Sequence, residues 1–432
     1  WQRERPTKPG ENGLWKQTFT HNYPFRVFRA EAEGHAPALS ERVAKDAGDV
    51  ELTLKLKKAA PMAGTVVDAG GDPVAGATVY LAVGQSMPQI HNGKAQHGRD
   101  CDSRRTDAQG RFSFPPQTGK FLLIVPDKRG YAEVDQREFG EAKGKVRLTP
   151  WATVTGRLLV GNTPGANEEI NVGLRNSHDP NKPRPYHILN GTTDADGKFR
   201  VEHVPPGEIT VGRYVRLSED TRGTALSRNL VAEPGQTLTI TLGGTGRPVI
   251  GRFAWPAGAK EQPFDRGHYS LSTKVDREAL EEFQKRLLHK DFTSWNMERK
   301  KAWLETEEGK SAVSRYEAAS QKTYGTRRHY GFAIQRDGSF RIDNVEPGAY
   351  GLNLTVLGPP VSRNYSYGEQ IARLSADVTV PSLPKGVAYL DEAVDMGTLT
   401  VTLVKPAPKV GELAPDFTVP LLDLAAGDAE AA

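Results

Sequence analysis

A motif recurs three times along this chain, and the recurrence limits it to a string of small domains rather than one large fold. Each copy opens on a Gly-x-apolar strand, passes through an Asp- and Gly-bearing turn that ends in Gly-x-Phe, and closes on a turn leading into an alternating strand. The clearest copy uses 64–81, 106–114 and 117–125, with Gly130 and Tyr131 behind it. A second uses 155–174, 192–201 and 205–215, and a third 250–259, 335–342 and 346–356. Gly64, Gly156 and Gly251 open the copies at intervals of about 90 residues, the size of an ordinary sandwich domain.

Within a copy, short runs alternate apolar and polar with period two, and Gly, Pro, Asn or Asp breaks them about every ten residues. Such a pattern predicts an all-β chain of tandem antiparallel β-sandwiches of prealbumin or immunoglobulin type. In the turns at Asp107 and Asp194, the carboxylate is expected to accept backbone N–H groups while Gly110 and Gly197 take positive φ. Phe112 and Phe199 then re-enter the core. Parallel strands, or a sheet crossing a domain boundary, would run against this scheme.

The third copy needs roughly twice the usual length between its opening glycine and Gly338, so it carries an insertion, at about 274–324. Leu280, Phe283, Leu287 and Leu288 recur there with helical spacing, an apolar stripe that must bury against the third sandwich or a partner. A second helix is expected from Trp295 or Asn296 to about 321. Residues 24–37 and 49–58 parallel the second half of a copy. The expected organisation is a partial sandwich at 1–60, sandwiches at 61–151, 152–246 and 247–405, and a tail at 406–432. The start at Trp1, without Met or leader, is expected of a fragment or processed segment.

Charge excludes little but is informative: 57 basic residues against 53 acidic give a net +4, spread without a concentrated face. Nucleic-acid binding is therefore not expected. No apolar run reaches membrane-spanning length, so any membrane tether lies outside this chain. The single cysteine, Cys101, cannot form an intrachain disulfide.

Signatures of zinc proteases, serine hydrolases and phosphate loops are absent, and no cofactor is expected. Gly309-Lys310-Ser311 has only the tail of a phosphate loop. His91, His97 and Cys101, with Asp100 and Asp102, share one polar stretch and are the metal-ligand candidates, although their spacing matches no structural zinc pattern. Asp194 and Asp196 resemble the start of a calcium loop, but the later bidentate acid is missing and the turn reading prevails. Trp255, Trp295, Trp303, Tyr365 and Tyr367 are the ligand-binding candidates, because flat rings suit sugar faces. With Trp15 and Trp151, they are better explained by core or interface packing, Trp151 and Trp255 at strand or domain junctions.

The residues Gly64-Thr65-Val66-Val67-Asp68, Pro73-Val74-Ala75-Gly76-Ala77-Thr78-Val79, Thr106-Asp107, Gly110-Arg111-Phe112 and Gly130-Tyr131 resemble the carboxypeptidase regulatory-like domain. That family is a transthyretin-like sandwich, grouped with carbohydrate-binding-like folds, whose members space, bind or assist folding without catalysis. The resemblance covers most of 14–405. Val410-Gly411-Glu412-Leu413-Ala414-Pro415-Asp416-Phe417 resembles the opening of a peroxiredoxin-like domain of thioredoxin fold, whose catalytic Cys follows later and has no counterpart after Cys101. These likenesses imply a non-enzymatic, multidomain spacer or interaction module of a larger bacterial protein, periplasmic, in the cell envelope or secreted, with a protein or glycan partner. The alternatives are a carbohydrate-binding protein and a truncated piece of a thioredoxin-fold redox protein.

Overall fold

The computed structural model describes residues 10, 13–19, 23–84, 87–96, 101–117, 119–175, 183–217, 222–264, 266–274, 277–325, 327–359 and 368–404. They form an all-β chain of tandem sandwiches with a helical insertion in the third. Residues 410–417, expected from the sequence to open a peroxiredoxin-like domain, lie outside the described residues. Among the described residues, no helix is long and apolar enough to cross a membrane.

The N-terminal segment holds six two-residue strands, β1 (Phe25–Arg26), β2 (Arg29–Ala30), β3 (His35–Ala36), β4 (Ala38–Leu39), β5 (Val43–Ala44) and β6 (Lys57–Lys58). They pair as β1–β5, β2–β4 and β3–β6. Residues 49–56, within the segment that parallels the second half of a copy, carry no strand.

The first sandwich contains β7 (Met62–Val67), β8 (Thr78–Val83), β9 (Gln89–His91), β10 (Lys94–Ala95), β11 (Asp102–Arg105), β12 (Arg111–Phe114), β13 (Phe121–Asp127), β14 (Gly130–Asp135) and β15 (Lys145–Arg147). A short helix, α1 (Gln136–Glu141), precedes β15 and starts at a capping box of Asp135 and Glu138. One sheet runs β12-β7-β15 and the other β11-β8-β13-β14.

The second sandwich contains β16 (Ala152–Val160), β17 (Thr163–Pro164), β18 (Glu169–Leu174), β19 (Tyr186–Ile188), β20 (Asn190–Thr192), β21 (Lys198–Val204), β22 (Gly207–Arg216), β23 (Arg222–Ala232) and β24 (Thr237–Leu242). Here β16 is flanked by β21 and β24, opposite β20-β18-β22-β23. In the third, β25 (Arg247–Ala254) is flanked by β28 (Ser339–Val345) and β31 (Val394–Thr400). Its second sheet joins β26 (Gly267–Thr273), β27 (His329–Tyr330), β29 (Gly348–Leu357), β30 (Gln370–Val380) and β32 (Thr402–Leu403) in the order β27-β26-β29-β30-β32.

The repeated glycine and phenylalanine are one device. Gly64 lies opposite Phe112, Gly156 opposite Phe199 and Gly251 opposite Phe340. A Cβ on these glycines would sit 2.6, 2.7 and 2.7 Å from the facing ring, so the missing side chain is the space the ring occupies. Each ring is buried, which stabilises its sandwich by about 2–3 kcal/mol. The turn glycines Gly110, Gly197 and Gly338 stand at φ 73°, 76° and 85°, where a side chain is strained. Their carbonyls accept Val66 N–H, Leu158 N–H and Phe253 N–H at 2.8, 2.8 and 2.9 Å. The aspartates behave as turn residues: Asp194 Oδ1 accepts from Asp196 N and Lys198 N at 3.0 and 2.8 Å, so its carboxylate is occupied by its own turn.

The ladders depart from the antiparallel scheme in two ways. In every sandwich the first strand has a closing strand as its parallel, hydrogen-bonded neighbour: β7 with β15, β16 with β24, and β25 with β31, after which β32 crosses to pair antiparallel with β30. The closing strand lies beside the first in the same direction, so the chain enters at one pole and leaves at the opposite one. An antiparallel pair would return it to its starting pole. The second departure is a small sheet, β10-β9-β19, that crosses from the first sandwich to the second through a parallel β9–β19 pairing.

The insertion leaves after β26 and returns at β27, which pair side by side, Leu271 opposite Tyr330. It comprises α2 (Arg277–Leu287), a 3-10 turn at Phe292–Ser294, α3 (Met297–Leu304) and α4 (Glu307–Gly325). The single second helix expected from sequence is broken at Glu305 and Thr306, because Thr306 Oγ1 accepts Gly309 N–H at 3.1 Å and starts a new helix. Gly309 belongs to α4, and a Cβ there would lie 2.1 Å from the Trp303 carbonyl oxygen; the close approach of α3 and α4 explains the glycine. Both α2 and α3 pack on α4. Leu280 is buried, whereas Phe283 and Leu287 are half-buried.

Candidate functional site at the joints between sandwiches

The second and third sandwiches share a feature the first lacks. In the first copy Phe114 runs directly into Pro115, whereas Glu202-His203-Val204 separates the equivalent Val201 from Pro205 and Asp343-Asn344-Val345 separates the equivalent Ile342 from Glu346. The extra length appears as a β-bulge, where β21 pairs with β16 and where β28 pairs with β25. The β12–β7 ladder runs through without one. In both bulges one residue takes positive φ, His203 at 56° and Asn344 at 60°. A bulge re-aims a side chain at the end of a strand. Here it directs both residues at the preceding sandwich.

At the first joint, His203 packs on Gly93, whose Cβ would lie 2.5 Å from that of His203, and meets Trp151 edge-on at 5.6 Å. Trp151 stacks on Tyr131 at 4.8 Å and donates its indole N–H to the Asp127 carbonyl at 2.7 Å. Across the joint His187 Nε2 lies 2.9 Å from the Tyr131 hydroxyl, which also bonds the Glu133 carboxylate. Burial, and then the Glu133 charge, hold the Tyr131 hydroxyl well above its ordinary pKa. His187 Nδ1 is buried without a hydrogen-bond partner among the described residues. Asn92 N–H donates to the Ile188 carbonyl at 2.9 Å, and Asn190 N–H donates to Asn92 Oδ1 at 3.1 Å.

At the second joint, Asn344 is 3 % exposed. Its Oδ1 accepts Gly161 N–H at 2.9 Å, while its Nδ2 donates to the Gly161 and Thr245 carbonyls at 2.9 and 3.3 Å. Glu346 pairs with Arg228 of the second sandwich and with Arg328 Nε at 2.9 Å. Tyr269 donates its hydroxyl to the Leu217 carbonyl at 2.6 Å, and Gly331 N–H donates to the Thr224 carbonyl at 2.8 Å. Tyr389 lies over Gly161 and bonds Asp391 at 3.1 Å; burial and then that bond push its hydroxyl up to about 12. The linker glycine Gly243 has no room for a Cβ, 1.9 Å from the Leu159 carbonyl oxygen. One continuous apolar cluster runs through the second and third sandwiches, whereas the first has its own.

Of the residues singled out in the sequence, Trp151 and His91 lie at the first joint and the others fall elsewhere. His91 lies in β9, with Nε2 3.3 Å from Asn190 Oδ1 and Nδ1 3.3 Å from Gln96 Nε2. Cys101 is half-buried against the apolar cluster of Ala82, Ile90, Ile124 and Tyr131. Among the described residues, no group of three side chains could hold a metal; His97 and Asp100 lie outside them. Trp255 stacks on Phe264 at 5.1 Å and donates to the Gln262 carbonyl at 2.9 Å, as junction packing requires. Trp295 and Trp303 meet each other at 6.2 Å within the insertion, and Trp303 is buried. Tyr365 and Tyr367 lie outside the described residues. An open polar recess of about 540 Å3, lined by Asn167, Glu169, Asn190, Gly191, Thr192 and Arg222, sits on the second sandwich.

No family model matches the chain, and no curated protein matches it. Among solved structures, the chain overlaps a minor pilin of Streptococcus agalactiae over 41 % of its length and 93 % of the pilin's, at 12 % identity and a TM-score of 0.22. A streptococcal ancillary pilin overlaps 52 % of this chain and 78 % of its own, at 17 % identity and a TM-score of 0.22. The Bacillus anthracis TIE protein overlaps 88 % of this chain and 58 % of its own, at 9 % identity and a TM-score of 0.17. These overlaps are too slight to bear on fold or function.

Proposed function

We propose that this chain is a non-catalytic spacer, built of units at 61–151, 152–246 and 247–405, that holds its two ends at a set separation within a larger bacterial envelope or secreted protein. One observation carries the reading: each sandwich pairs its first strand in parallel with a closing strand, β15, β24 or β31, so successive units join pole to pole, and the two bulge residues fasten each unit to the one before. Apart from His187 Nδ1, the polar groups described at the joints are spent on one another, as a fixed junction requires.

Small-angle scattering on residues 61–404 tests this. Three strand lengths of roughly 30 Å each predict a longest dimension near 90 Å. A compact globule of this size would have a radius of gyration of about 20 Å, and finding that value would overturn the spacer reading. A glycan-binding role has the polar recess in its favour. A glycan array against the chain and its Glu169→Ala variant tests it, with loss of a signal on substitution as the supporting result.

A further inference from the structure

We infer that the sandwiches bear tension as well as set distance, a role that rests on the spacer reading and adds a mechanical function to it. Tension on such a chain enters each sandwich at the start of its first strand and leaves at the end of its last. In the first two sandwiches these strands are parallel, hydrogen-bonded neighbours, and in the third β25 and β31 are, with the two-residue β32 following β31 onto β30, so the load runs along the strands and across the evenly spaced ladder bonds. All bonds of the ladder then resist together. A handle placed at the other end of the first strand would instead peel the last strand away one bond at a time.

The three ladders differ in length, and that difference sets an order of failure. The β7–β15 ladder pairs only Lys145 to Arg147 with Thr65 to Val67, extended by Thr65 N–H to the Gly144 carbonyl and Leu148 N–H to the Val67 carbonyl. The β16–β24 ladder runs unbroken from Thr153 opposite Thr237 to Leu158 opposite Leu242. The β25–β31 ladder is interrupted between Ile250 and Arg252. The first sandwich therefore yields before the second. The helical insertion sits between β26 and β27 and stays sheltered until the β25–β31 ladder fails. Failure releases roughly 300 Å of chain from each of the first two sandwiches and roughly 500 Å from the third, at about 3.5 Å per residue.

Single-molecule pulling on the full chain in a Cys101→Ser background tests the inference. Thr155 Oγ1 and Thr239 Oγ1 lie 3.2 Å apart across the load-bearing ladder. A Thr155→Cys, Thr239→Cys pair, oxidised, identifies the second sandwich by abolishing most of its release; reduction restores it on the same molecule. With terminal handles, the second sandwich is expected to outlast the first and to rupture at several-fold higher force than with cysteine handles at the exposed Asn162 and Thr241, which peel β24 from its far end. Equal forces in the two geometries, or release of the second sandwich before the first, would overturn the tension-bearing role. An extended chain in scattering with equal pulling forces would leave the spacer standing without it, whereas a collapsed chain would remove both.

Discussion

Replacing Asn344 should loosen the second joint by an amount the structure allows to be divided. Its amide makes three hydrogen bonds, to Gly161 N–H and to the Gly161 and Thr245 carbonyls, in a nearly dry site. At a net of about 1 kcal/mol each, their loss costs about 3 kcal/mol. Asn tolerates φ near 60°, whereas Ala there adds about 1 kcal/mol of left-handed strain. Asn344→Ala should therefore destabilise by about 4 kcal/mol, and Asn344→Gly, free of that strain, by about 3 kcal/mol. Urea unfolding followed by intrinsic tryptophan fluorescence measures both. The shared apolar cluster predicts that the second and third sandwiches lose stability together. An alanine variant within about 0.5 kcal/mol of the parent, or a glycine variant weaker than the alanine one, would refute the assignment of Asn344 as the fastening residue.

Replacing residues 275–326 by a short turn should leave all three sandwiches folded, since β26 and β27 are already adjacent; loss of cooperative unfolding in circular dichroism would make the insertion part of the core. Gly156→Ala should destabilise the second sandwich by several kcal/mol, because the new Cβ would lie 2.2 Å from the Ile240 carbonyl oxygen and 2.7 Å from the Phe199 ring; thermal melting measures it. The Tyr389 hydroxyl titrates higher folded, at about 12, than unfolded, at about 10. Its contribution is complete below pH 10 and is lost as pH rises toward 12, so stability should fall across that window less steeply in Tyr389→Phe. Trypsin should cut first at the exposed Lys57 and Lys58, ahead of the sandwiches, as mass spectrometry of the early fragments would register.

Much of the fold was legible because its signals are local. Period two marks strands, an Asp and a Gly at fixed offsets mark a turn, and Phe112, Phe199 and Phe340 mark the core wherever the chain re-enters it. Which strands become neighbours is not local. Nothing in 145–147 reveals that it lies parallel to 65–67, because that is settled by the path of the whole sandwich. The joints were hidden for a similar reason. A bulge adds one unpaired residue and looks like ordinary loop variation, so His203 and Asn344 carried no chemical motif. Their signal was available only by comparing copies, where the first proceeds from Phe114 directly to Pro115. Trp151 was expected at a junction and is found there, with partners from both sides. The metal and sugar candidates were chosen by residue type, which carries no information about neighbours: Trp295 and Trp303 meet within the insertion, whereas His97, Tyr365 and Tyr367 lie outside the described residues.

The claim that the joints are fixed is tested most directly by distances between spin labels at Ala108, Ala195 and Arg336, exposed positions on the equivalent turns of the three sandwiches, in a Cys101→Ser background. Pulsed electron spin resonance should return one narrow distance distribution for 108–195 and one for 195–336. Broad or multiple distributions for either pair in the otherwise unaltered chain would contradict a rigid spacer.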